Sequence, residues 1–110
     1  MYLPTSRGFD KYLGIPFSQD IGMSFWDGLR TPHQPYQPTP LPLLNGTAVL
    51  EQPADLYTIA EKYAHEATSF IAENAEAAVP FMLYFPFNHI HGPNSCGARW
   101  CGQASTQAPR

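Results

Sequence analysis

The chain has 110 residues, enough for one small domain. Charged residues make up 14% and the net charge is −3, which excludes a charge-rich disordered chain and a basic nucleic-acid binder. Twelve prolines are roughly twice the share of an average domain. No apolar run reaches bilayer length. The longest, residues 77–87, is interrupted by Pro80 and Pro86, so no membrane partner is expected.

Residues 1–22 carry Gly8, Gly14, Pro16 and Gly22 between short apolar stretches such as Tyr12-Leu13 and Ile15. That pattern predicts turns with at most one short strand. No basic n-region precedes an apolar stretch, so the start does not read as a signal peptide. The other end closes on Gln-Ala-Pro-Arg after a Gly/Ser/Gln-rich stretch. Both ends predict a piece of a longer protein.

In residues 23–50, Pro32, Pro35, Pro38, Pro40 and Pro42 crowd together, and no charged side chain occurs from residue 31 to residue 50. Proline fixes φ and lacks an N–H donor, so neither a helix nor a central strand is expected. An extended, polyproline-like connection fits best. Pro32-His33-Gln34-Pro35 and Pro35-Tyr36-Gln37-Pro38 also fit P-x-x-P docking peptides, but such triplets arise freely in Pro-rich sequence.

Residues 51–79 hold the clearest helix. Leu56, Ile59, Ala60, Tyr63, Ala64, Ala67, Phe70 and Ile71 recur with the period of one helical face. Asp55 suits the N-cap, and Pro80 sets the latest end. Lys62 and Glu66 form an i,i+4 pair in the weaker orientation. His65 reads as a solvated helix histidine. Residues 81–85 are a continuous apolar run between prolines. They predict a strand buried on both faces, the mark of a parallel sheet covered by helices. A helix followed by such a strand is half of a βαβ unit, hence an α/β class.

That strand leads into Asn88-His89-Ile90-His91-Gly92-Pro93, and open α/β sheets bind ligands beyond the carboxyl ends of their strands. In extended backbone His89 and His91 share one side. They fit an acid/base or anion-binding pair, metal ligands, or histidines bonded to backbone at a strand end. As metal ligands they lack a third partner at a recognisable spacing. Asn45-Gly46-Thr47 is an N-glycosylation triplet. Cys96 and Cys101 flank a short Gly-containing loop and are either a small-loop disulfide or two free thiols.

Arg7-Gly-Phe-Asp10, followed by Tyr12-Leu-Gly-Ile-Pro-Phe-Ser-Gln-Asp20, resembles R-G-F-D-x-[YF]-x-G-I-P-[YF]-S-x-D of the arylsulfatases, in particular their A and G branch. Later features follow in the same order: Pro42-Leu-Leu with the triplet at Asn45, Glu51-Gln-Pro53, the helix, Pro80-Phe-x-Leu-Tyr84 and His89-x-His91-x-Pro93. The resemblance implies a partial α/β domain of alkaline-phosphatase type. It has one main helix on short, mostly parallel strands and a long Pro-rich loop, with residues 1–110 an internal fragment of a single sulfatase catalytic domain. It implies hydrolysis of sulfate esters by a lysosomal or secreted protein. It also implies a bound calcium ion and a formylglycine made from the cysteine of C-x-P-S-R. Ser18 matches the substrate-contacting serine, and His91 the active-site histidine that also touches substrate. Neither Cys96 nor Cys101 lies in C-x-P-S-R, and the Asp-Asp, D-N-G and G-K-W-H segments of the family are not in the sequence. Met23-Ser-Phe-Trp26 stands where this branch often carries cysteines. The expected role is therefore part of a sulfuric ester hydrolase, inactive alone. The alternative is a non-catalytic module that uses the Pro-rich stretch or the His89/His91 pair.

Overall fold

The computed structural model describes residues 2–19, 40–89 and 96–103. A 3-10 turn, Pro4–Ser6, precedes three short strands: β1 (Leu13–Gly14), β2 (Leu43–Asn45) and β3 (Ala48–Glu51). One helix follows, α1 (Ile59–Glu76).

The strands form one sheet in the order β1-β2-β3, and both pairings are antiparallel. This corrects the expectation of mostly parallel strands. The reason is local. Gly46-Thr47 joins β2 to β3 with Asn45 opposite Ala48, and a two-residue connection admits only an antiparallel pair. Gly46 has φ +58, the left-handed value the first central residue of such a turn requires.

β2 is the central strand, in the region where proline argued against one. The chain places Pro42 just before the strand, where its missing N–H costs no ladder bond. Flanking groups continue the pairing: Ala54 N–H donates to the Leu41 carbonyl (2.7 Å), Gln52 Nε2 to the Pro40 carbonyl (2.8 Å), and Gly46 N–H to the Tyr12 carbonyl (2.7 Å). Leu43 faces Glu51 while Leu44 faces Val49, so Leu50 is an extra residue and the edge strand bulges there. The proline-spaced triplets at residues 32–38 lie outside the described residues.

Helix α1 begins at Ile59, with Thr58 as the residue before its first turn, three residues beyond the N-cap expected at Asp55. Asp55 instead closes a preceding turn. Its carboxylate accepts from the Tyr57 N–H (3.0 Å) and the Thr58 hydroxyl (2.8 Å). Those two bonds, the hydroxyl first, hold the Asp55 carboxyl below the usual carboxylate range. The far end stops before Pro80. Ala78 takes φ 54, its N–H donates to Ala75 (3.2 Å), and the Val79 N–H to Asn74 (3.1 Å). This is a Schellman closure with alanine where glycine is usual.

The core is small. Ile59, Tyr63 and Ala67, each four residues on from the last, are the buried face of α1. Ile59 and Tyr63 cluster with Leu43, and Leu13, Ile15, Ala54 and Phe85 pack against that cluster. Burial pushes the Tyr63 hydroxyl above its ordinary pKa. Among the described residues, two ion pairs tie the helix down. Lys62 reaches Glu51 on β3 (2.6 Å), and Lys11 reaches Glu73 (2.9 Å). Lys62 is thus spent on the sheet rather than on the i,i+4 pair with Glu66.

Residues 81–85 form no strand, which corrects the buried-strand expectation. Phe81, Met82, Leu83 and Tyr84 are exposed, Met82 and Tyr84 by 71% and 72%. A continuous apolar run codes for a strand only where neighbours supply hydrogen bonds and cover on both faces. Among the described residues nothing supplies them, and only Phe85 reaches the core. Phe81 meets Phe70 of α1 edge to face, centroids 5.4 Å apart.

Candidate active site

Ser18 lies on the segment after β1 and is exposed. It lines an open groove of about 600 Å³ whose walls are Tyr2, Leu3, Pro4, Tyr12, Ile15, Pro16 and Phe17. The local sequence builds this wall directly. β1 ends at Gly14 and Pro16 turns the chain, so Phe17 and Ser18 emerge beside Tyr12. Burial raises the pKa of the Tyr12 phenol. Ser18 brings a hydroxyl to this lining, and Tyr2, Tyr12 and Phe17 bring aromatic rings. That combination suits a small molecule with an anionic oxygen head and an apolar body.

The histidines divide. His91 lies outside the described residues. His89 is half-buried and lines a separate cavity of about 320 Å³ with Tyr57, Ala60, Glu61, Cys96, Gly97 and Trp100. Ser18 and His89 thus belong to different cavities, with no lining residue in common. His65 is exposed on α1, as its place in the helix predicts.

Asn45 is the exposed last residue of β2. The triplet's asparagine therefore stands at the mouth of a tight turn, open to solvent. Cys96 and Cys101 are joined by a disulfide with Cα atoms 5.6 Å apart. The Trp100 indole N–H donates to the Glu61 carboxylate (3.1 Å). Sequence reasoning missed this contact, and Tyr12 as a groove residue. Glu61 and Trp100 are 39 positions apart, and no periodicity links a helix surface to a distant loop.

Among the described residues, no three His, Cys, Asp or Glu side chains converge as a metal site would require. The described residues do not fit a calcium centre, and two disulfide-bonded cysteines do not fit a formylglycine precursor. No helix among the described residues is long and apolar enough to cross a membrane.

No protein-family model matches the chain. Individual proteins do. Arylsulfatase G of Homo sapiens is 36% identical over 108 residues, covering 84% of this chain and 21% of that protein. Over this stretch the chain is similar to the arylsulfatases. Arylsulfatase G of Mus musculus is also 36% identical, over 110 residues and 86% of this chain. Arylsulfatase A of Bos taurus is 29% identical over 109 residues, 94% of this chain and 22% of that protein. The chain spans about a fifth of the length of the curated relatives it matches.

Proposed function

We propose that this chain forms part of a sulfuric ester hydrolase of arylsulfatase type and contributes substrate-binding groups to it. The observation that carries this reading is the 36% identity to arylsulfatase G across 84% of the chain. The groove supports it. In this reading Ser18 donates its hydroxyl to a sulfate oxygen, and the apolar walls beside it receive the organic part of the ester. His91 hydrogen-bonds the anion and stabilises charge developing on the ester oxygen as it leaves. The nucleophile and the calcium ligands lie beyond residues 1–110. Asn45 is glycosylated, because a lysosomal or secreted protein meets the glycosylation machinery and this asparagine is open to it.

The test uses the complete protein that carries this segment, with a chromogenic aryl sulfate as substrate. Ser18→Ala and His91→Ala are expected to lower turnover by about 10²-fold each with the fold intact. An unchanged rate in either variant removes that residue from the site. The 110-residue chain alone is expected to give no turnover, with or without added calcium. Measurable turnover there would overturn the placement of the nucleophile outside it.

A further inference from the structure

The loop of residues 96–103 makes a second construction away from the Ser18 groove. Its turn is tight: the Trp100 and Cys101 N–H groups both donate to the Gly97 carbonyl, at 2.9 and 3.1 Å. The disulfide of Cys96 and Cys101 closes this turn covalently. Gly97 then sits so close to the start of α1 that a Cβ there would lie 2.9 Å from the Tyr57 carbonyl oxygen. Trp100 reaches across to Glu61 on the helix (3.1 Å). The Arg99 guanidinium lies over the Trp100 ring, 4.8 Å from its centroid. Cys96, Gly97 and Trp100 thereby form one wall of the 320 Å³ cavity, Tyr57 and Glu61 the other, with His89 beside them.

The balance of forces makes the loop conditional. The Trp100–Glu61 hydrogen bond to the helix is solvent-exposed, and such a bond is worth less than the entropy of ordering several loop residues. The disulfide removes part of that entropy in advance. Both cysteines are exposed, so a dissolved thiolate can reach the sulfurs.

We infer that the disulfide of Cys96 and Cys101 is a redox-sensitive clip that seats Trp100 on Glu61 and so builds the cavity beside His89. An external dithiol opens it by ordinary exchange. One thiolate attacks a cystine sulfur, the S–S bond breaks to release the other as thiolate, and the second thiol resolves the mixed disulfide. The dithiol becomes a disulfide, and Cys96 and Cys101 end as two thiols. Trp100 then leaves Glu61, the cavity loses a wall, and His89 gains solvent, while α1 and the hairpin persist because the core of Leu43, Ile59 and Tyr63 does not involve the loop.

The experiment follows the Trp100 indole N–H by NMR in the full 110-residue chain, with Trp100→Phe to assign the signal. Before reductant the thiol count is expected to be zero. After a dithiol it is expected to be two. Indole exchange should then rise by roughly three- to tenfold, the protection one weak hydrogen bond gives, while far-ultraviolet circular dichroism stays constant. Cys96→Ser/Cys101→Ser is expected to match the reduced chain, and Glu61→Ala to raise indole exchange with the disulfide intact. Two free thiols after air oxidation would overturn the inference. So would a Trp100 signal unmoved by full reduction, or a helix that melts with it, which would make the disulfide a fold determinant rather than a clip.

Discussion

At the scale of single residues, Ala78 is the most exposed to test. It holds the left-handed position that ends α1, with φ 54. That conformation presses an L-residue's Cβ toward its own carbonyl oxygen, at a cost of about 1–2 kcal/mol that glycine escapes. Both bonds of the closure come from backbone N–H groups, so they survive the loss of a methyl. Ala78→Gly is therefore expected to stabilise the chain by about 1 kcal/mol, less a little for the added freedom of the unfolded state. A thermal melt checks it, and a lowered midpoint would contradict the assignment. Ser18 belongs to this scale too. A serine is unremarkable by composition, and its candidacy came from the Gly-Ile-Pro-Phe-Ser-x-Asp context. Its neighbours Tyr12 and Phe17 carried no such flag, because the groove exists only once the Pro16 turn folds them together.

At the scale of elements, the helix was the most legible part. Its buried face, Ile59, Tyr63 and Ala67, lies within the apolar series that the spacing picks out. Ala64 and Ile71 belong to the same series but are exposed, since periodicity says which side turns inward and not how far the cover extends. The entry to the helix has a pH signature. The Asp55 carboxyl is depressed by the Thr58 hydroxyl and the Tyr57 N–H. A depressed carboxyl contributes stability above its unfolded value, near ~3.9, and that contribution is lost as pH falls through the folded value. Because Asp55 is exposed, the effect is small, a fraction of 1 kcal/mol. Helicity monitored from pH 6 to pH 2 is expected to fall less steeply in Asp55→Asn than in the unmodified chain. Superimposable curves would rule the turn out as a stabilising device. The strands were less legible. A strand of two residues, β1, is too short for alternation to register, and β2 hides behind a run of prolines.

At the scale of the whole molecule, the small core and the bare aromatic segment at residues 81–87 dominate. Phe81, Met82, Tyr84 and Phe87 are all exposed, and apolar side chains left open in this number drive association. Met82→Lys with Tyr84→Lys is expected to raise the solubility of the 110-residue chain and leave its melting midpoint nearly unchanged, since surface substitutions fall within about 0.5 kcal/mol. Sedimentation and a melt measure both. A loss of several kcal/mol would mean that these side chains are buried after all. The mismatch between an apolar code and an exposed location accompanies a chain that spans about a fifth of its relatives' length.

The amino-acid sequence by itself determined the helix and the likeness carried by the Arg7 to Asp20 segment. Each of these depends on neighbours a few positions apart, where spacing and backbone preference act directly. Tertiary structure alone decided that the sheet is antiparallel, that Leu43 rather than residues 81–85 supplies the strand under the helix, and that Trp100 meets Glu61. Those outcomes depend on which surfaces compete for one small core, and that competition is settled only when distant segments are brought together.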